Sequence, residues 1–330
     1  MFGNDHEKKR FSKSLYTSFS FPFGYWSFTS VLNYATYKTL VEGKYTFFNI
    51  TGESVGQTYW LDRVIWRKRQ YKMNLGASLG IQDSQGYVRD IRSQTGSARR
   101  SNLSLYLNNT IYTRYAMLII KPSYQKGLSW FGAKIDKDVY VDEVRLDSEP
   151  RLQYDIVKLY MYFNAQVIAH MYYSLMMDWQ YSFNSLYGNE QFSVGGQYSV
   201  RGFRNSTISG NSGFYVRNEA RTNLLRIFNV SIFYDFGYVK NKHKRPYDDR
   251  YNSQSGSLSG CGVCVGWDLQ YINMSLTYAK WLHRARYLQE RDGIKKEDNV
   301  VYWRIGAKVI TREIKNKIIE SGGKLPPGIE

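Results

Sequence analysis

Residues 155–167 read DIVKLYMYFNAQV, and apolar side chains recur at every second position. Val157, Leu159, Met161, Phe163, Ala165 and Val167 fall on one side, with Lys158, Tyr160, Asn164 and Gln166 on the other. Successive side chains of a β-strand point to opposite faces, so this pattern describes a strand with one greasy and one polar side. The next stretch, HMYYSLMMDWQYSF at 170–183, does the same with Met171, Tyr173, Leu175, Met177, Trp179 and Tyr181.

Working outward, the period of two persists. Leu15, Phe19, Phe21 and Phe23 share a face against Ser14, Ser18 and Ser20. Leu103, Leu105, Leu107 and Ile111 oppose Asn102, Ser104, Tyr106 and Asn108. About fourteen such segments follow one another: 11–23, 25–40, 53–66, 70–83, 98–111, 113–126, 153–167, 170–182, 190–198, 212–224, 228–240, 258–270, 271–283 and 299–310. Many exceed the roughly 5–6 residues of an ordinary soluble strand. Aromatics gather near segment ends, as at Tyr25–Trp26, Tyr59–Trp60 and Trp179–Tyr181. Long alternating strands with aromatic girdles predict an all-β transmembrane antiparallel barrel, whose closed wall satisfies its own backbone groups. A soluble β-sandwich or jelly roll also alternates, but its outer face is usually charged and its strands are shorter. Here the charges accompany the tyrosine- and serine-rich face, which is assigned to the lumen.

The composition of the 330 residues agrees with a wall of strands rather than helices. No stretch approaches the roughly 18 apolar residues of a membrane helix. The formal charge of +17 is high. Clustered Lys and Arg attract phosphate, on nucleic acid or on anionic headgroups, and charge alone does not choose between them. Two runs stand out, WRKRQ around Arg67–Arg69 and KNKHKRPYDDR at 240–250; the latter has two acids beside it, sits between strands and reads most simply as a solvated loop. Cys261 and Cys264 form a lone C-x-x-C within an alternating segment, so their thiols diverge and hold no metal. His6, His170, His243 and His283 are scattered away from any acid or serine motif. Neither a catalytic constellation nor a cofactor or metal motif is legible, and the expectation is a protein that is not an enzyme.

One arginine stands apart. Residues 195–204, GGQYSVRGFR, lie between two expected strands, with Arg201 followed by Gly202 and Phe203 and preceded by Val200. The strand after it places Phe214, Val216, Ala220 and Leu224 outward and Tyr215, Arg217, Glu219, Arg221 and Asn223 inward. The next, NVSIFYDFGYV, turns Val230, Ile232, Tyr234, Phe236 and Tyr238 out, and Ser231, Phe233, Asp235 and Gly237 in. An unpaired carboxylate in a confined lumen is expensive. If the loop folds inward, Arg201 can meet Asp235 through a bidentate guanidinium bond, with Gly202 allowing close approach and Phe203 an apolar foot. An exposed loop with a solvated arginine is the plainer alternative.

The stretches GGQYSVRGF, GFYVRNEA and FYDFGYV resemble the signature of the TpsB transporters, the barrel half of bacterial two-partner secretion, of the ShlB/FhaC/HecB type. SFPFGYWSF at 20–28 and GLSWFGAK at 127–134 extend the resemblance over most of the chain. It implies a sixteen-stranded outer-membrane barrel in a Gram-negative cell, whose V-R-G-F loop enters the lumen as a latch and pairs with the aspartate of F-x-D-x-G. Mapped here, the latch is Val200, Arg201, Gly202 and Phe203, its partner Asp235 with Gly237, and the luminal charges are Arg217, Glu219 and Arg221. The implied function is ATP-independent export, and so activation, of a haemolysin- or adhesin-like exoprotein. Implied partners are that exoprotein, outer-membrane lipid and lipopolysaccharide, and the barrel insertion machinery, with no nucleic acid.

The family also carries a signal peptide, a plug helix and two POTRA domains ahead of its barrel. MFGNDHEKKRFSK at the amino terminus has no apolar leader core. The first segment resembles the family's third strand, so the expectation is a truncated barrel domain, 1–310, that does not secrete alone. A charged tail, 311–330, follows it. Two other readings stay open: an assembly factor of the BamA or TamA kind, and a soluble basic β-rich binding module.

Overall fold

In a computed structural model, the described residues are 11–42, 47–93, 97–136, 140–141, 144–145, 149–203, 208–225, 227–241, 255–269, 272–285 and 299–307. They form one antiparallel meander. Its strands are β1 (Phe11–Phe23), β2 (Trp26–Glu42), β3 (Phe47–Lys68), β4 (Tyr71–Val88), β5 (Ala98–Tyr112), β6 (Ala116–Leu128) and β7 (Asp155–Ile168). Then come β8 (Met171–Ser182), β9 (Ser212–Leu225), β10 (Phe228–Lys240), β11 (Gly256–Asp268), β12 (Ile272–His283) and β13 (Val300–Ala307). Every strand pairs with the next in sequence, and the two-residue strand Ile91–Arg92 lies beside β4. β1 and β13 are the two ends of this path, and no register joins them among the described residues.

The connections follow a strict rule. At one end, β1–β2, β3–β4, β5–β6, β7–β8, β9–β10 and β11–β12 are joined by tight turns of two or three residues. At the other end the chain uses longer segments, up to those between β6 and β7 and between β8 and β9. Apart from β13, the strands have 12 to 22 residues, beyond the roughly 9–11 that cross a bilayer.

The two faces sort as the alternation predicts. Phe19, Leu105 and Ile232 are 62%, 50% and 61% exposed. The residues next to Leu105 and Ile232 in sequence, Tyr106 and Ser231, point to the other face and are buried. A continuous apolar outer surface of this kind suits hydrocarbon, since each wall strand between β1 and β13 is hydrogen-bonded to a neighbour on both sides. Inside, Tyr106 on β5 donates from its hydroxyl to Asp62 on β3 at 2.9 Å, and the Lys121 ammonium lies 4.1 Å from the Tyr106 ring centroid.

One expectation needs correction. The segment 190–198 is not a wall strand; among the described residues the fourteen-stranded sheet consists of β1 to β13 and the short strand Ile91–Arg92. Only Phe192–Val194 is extended, and it pairs with Ile208–Gly210 as a separate hairpin. Its alternation, Phe192 and Val194 buried with Ser193 between them, serves a small core of its own. That core joins Phe192, Val194, Val200, Phe203 and Ile208 to Tyr215 of β9, Val239 of β10 and Leu258 of β11, with Trp281 of β12 packed alongside. Toward the other side, Tyr187, Gly188 and Asn189 line a cavity with Tyr37, Glu53 and Arg100 of β2, β3 and β5. One segment therefore touches both halves of the sheet, which is bent around it. The 240–250 run beyond Asn241 and the 311–330 tail lie outside the described residues.

The two cysteines report on this geometry. Cys264 opposes Ser231 and lines a luminal cavity, whereas Cys261 opposes the outward Tyr234. In membrane-embedded protein, a charged maleimide should label Cys264 faster than Cys261, read by mass spectrometry with Cys261→Ser and Cys264→Ser controls. Preferential labelling of Cys261 would mean that the wall is inside out.

Candidate functional site

The site begins with Asp235. It sits midway along β10 on the luminal side, with no solvent exposure. A carboxylate there must be neutralised, because removing one partner of a buried ion pair costs about 3–5 kcal/mol. Arg201 supplies the charge. Its Nε donates to Oδ2 of Asp235 at 2.7 Å and its Nη2 donates to Oδ1 at 2.9 Å. The backbone N–H of Arg201 also donates to Oδ2, at 3.1 Å. Nη1 turns to the neighbouring strand and donates to Oε2 of Glu219 at 2.8 Å. The guanidinium carbon lies 3.5 Å from the Phe233 ring centroid, so the plane is stacked as well as hydrogen-bonded. Arg201 is 4% exposed. Burial opposes its charge, but Asp235 and then Glu219 more than offset that and hold the guanidinium above its ordinary pKa. Lysine, with one nitrogen, could not serve two carboxylates in this plane.

The loop is seated by close backbone contact. Gly202 has φ of +98°, and a Cβ there would lie 2.8 Å from the Lys280 carbonyl carbon of β12. A Cβ on Gly260 of β11 would run into the Arg201 carbonyl oxygen, and one on Gly262 would meet the Phe233 ring at 2.6 Å. Gly237 leaves the space that Val194 and Val200 fill. From β13, the Tyr302 hydroxyl accepts from the Gly202 N–H at 3.3 Å and donates to the Phe203 carbonyl at 2.7 Å. Five consecutive strands, β9 to β13, thus hold one tetrapeptide.

The structure brings together Val200, Arg201, Gly202, Phe203, Asp235, Gly237 and Glu219. Arg217 stands directly opposite Asp235 in the β9–β10 register, and its Nη1 donates to the Tyr198 carbonyl over a long 3.4 Å. Arg221 lies further along β9, facing the lumen with its guanidinium over the Tyr172 ring. Glu219 as a second carboxylate for Arg201, Phe233 as its stacking surface and Tyr302 as a strap were not legible in the sequence. The alternating glycines 260, 262 and 266 were a usable signal, since such a stripe marks a wall that lets another backbone approach.

Residues 2–266 match the family described as haemolysin secretion/activation protein ShlB/FhaC/HecB. The chain belongs to this family. Among similar ShlB/FhaC/HecB-type proteins, the outer membrane transporter CdiB of Dickeya dadantii (strain 3937) is 28% identical over 82% of the chain and 48% of its own length. The hemolysin transporter protein HpmB of Proteus mirabilis is 24% identical over 82% of the chain and 47% of its own. The solved structure of CdiB from Escherichia coli has a TM-score of 0.78 at 24% identity, covering 89% of this chain and 52% of that one. The chain spans about half the length of the curated relatives it matches. It is a β-barrel chain of an outer-membrane family.

Two measurements test the seating of the loop in this ShlB-type barrel. A double-mutant cycle on Arg201→Ala and Asp235→Ala, read by thermal or denaturant unfolding in detergent, should give coupling of about 1–3 kcal/mol. Additive effects would mean that the pair makes no contact in solution. Gly260→Val should unseat the loop, increasing protease cleavage within 195–211 while strand content by circular dichroism is retained. Unchanged cleavage would contradict the close approach at Gly260.

Proposed function

We propose that this chain forms the translocation barrel of a two-partner secretion transporter, exporting and so activating a haemolysin- or adhesin-like exoprotein. The observation that carries the reading is Arg201. A loop that crosses the lumen ends in a guanidinium buried between Asp235 and Glu219, in a member of a haemolysin secretion family. In this reading Val200, Arg201, Gly202 and Phe203 are a latch, and Asp235 and Gly237 are its seat. The latch keeps the barrel occluded while no exoprotein is engaged.

The chemistry asked of the wall is modest. The passing chain is extended and unfolded, and its backbone groups need polar neighbours in place of water. The luminal face offers tyrosine, serine and asparagine in that role, while the outer face meets lipid and lipopolysaccharide. Neither covalent bond making nor nucleotide hydrolysis is required, because folding of the exoprotein beyond the pore biases movement outward. The barrel insertion machinery would place the wall, which is assigned to 1–310 with the tail 311–330 outside it.

With β1 and β13 unpaired among the described residues, the wall has a seam. The conducting state is assigned to a wall sealed by further strands, and the chain on its own is not expected to secrete. Complementation of a transporter-deficient Gram-negative strain tests both points. A full-length relative carrying residues 11–307 in place of its own barrel strands should release exoprotein to the medium, and Arg201→Ala in it should cut release about tenfold or more while inserted barrel persists. Release by the chain alone would overturn the assignment of the conducting state. Full release with Arg201→Ala would overturn the latch.

A further inference from the structure

On the short-turn side of Arg201 the lumen holds a cavity of about 320 Å³. Besides Arg201 of the loop, three guanidiniums line it from two strands: Arg217 and Arg221 on β9 and Arg304 on β13. Against them stands the carboxylate of Asp268 at the end of β11, since Glu219 is already engaged by Arg201. Arg304 has no hydrogen-bond or ion-pair partner among the described residues, and the Nε of Arg217 is buried without one. Positive charge left unneutralised in a concave, partly dry space focuses its field on whatever anion can enter. Its planar donors match carboxylate geometry in pairs.

We propose that this cavity is a carboxylate-binding vestibule, taking acidic side chains of an extended polypeptide as it reaches the barrel from the short-turn end. The proposal rests on the translocation reading for the source of the polypeptide, though not for the binding itself. Lipid phosphates meet the outer face of the wall, whereas this cavity lies inside it beneath the luminal loop, so the ligand that reaches it travels through the lumen. Arg217 joins the vestibule to the latch. It faces Asp235 across the β9–β10 register and touches the loop through Tyr198, so a carboxylate drawn to Arg217 arrives next to the seat of Arg201.

Binding is measured directly on the full chain in detergent micelles, with fluorescent hexaglutamate as probe and hexaserine and hexalysine as controls. Hexaglutamate should bind at least about tenfold more tightly than hexaserine, weaken as salt rises, and resist displacement by an equal concentration of inorganic phosphate. Arg221→Gln with Arg304→Gln, both exposed to the lumen and outside the Arg201 seat, should reduce that affinity about tenfold or more with unchanged circular dichroism. Arg221→Glu with Arg304→Glu should transfer the preference to hexalysine, which keeps the test decisive if the glutamine variant is poorly inserted. Equal binding of the three peptides, displacement by equimolar phosphate, or retention of hexaglutamate by the variants would overturn the proposal. If the vestibule binds hexaglutamate but the chimaeric transporter releases no exoprotein, the translocation reading fails and the site stands. If release proceeds while hexaglutamate is not bound, the site fails and the reading stands.

Discussion

A carboxylate without access to water cannot stay charged alone, and the interior of this molecule is arranged around that constraint. Asp235 is placed on β10 by an alternation that leaves no choice of face. Its neutralising cation does not come from the wall strand beside it, where Arg217 is directly opposite. It comes from Arg201 on a loop that must leave the long-connection end and fold back through the lumen to arrive. The hairpin Phe192–Val194/Ile208–Gly210 and its apolar cluster supply the surface that holds the loop on the wall, while the ion pair fixes its register. Hydrophobic burial and a directional bond thus do different parts of one task.

Glycine makes the contact possible. A side chain at 260 would run into the Arg201 carbonyl, and one at 237 would press on Val194 and Val200, lifting the loop and carrying the Arg201 N–H away from Asp235. Tyr302 completes the seat from the last described strand, one hundred residues from Gly202. The seat therefore ties the carboxyl-terminal third of the wall to the middle of the chain. It also leaves Arg217, Arg221 and Arg304 with their charge turned toward open lumen.

The outer surface follows a second constraint. Hydrocarbon offers no hydrogen bonds, so strands can face it only when their backbone groups pair with neighbours. The meander meets this for twelve adjacent pairs, from β1–β2 to β12–β13, and leaves the outer edges of β1 and β13 as the unpaired places. High exposure of Leu15, Phe19 and Phe21 on β1, or of Trp303 on β13, is expected at a lipid-facing wall and would be a liability in a water-soluble sheet.

Period two in the sequence determined the strands, their two faces and the antiparallel meander, because each strand's alternation is local and survives whatever lies beside it. It also determined that Asp235, Arg217 and Glu219 face inward and that Cys261 and Cys264 part company. The same periodicity misassigned 190–198, whose alternating Phe192 and Val194 are explained by packing under a loop rather than by a lipid and a luminal side. Only the tertiary structure decided that Glu219 shares Arg201 with Asp235, that Phe233 stacks beneath it and that Tyr302 straps the loop. Those contacts join residues 18 to 100 positions apart, and their partners are set by how far the sheet bends and how deep the loop sinks, quantities that no local pattern of residues carries.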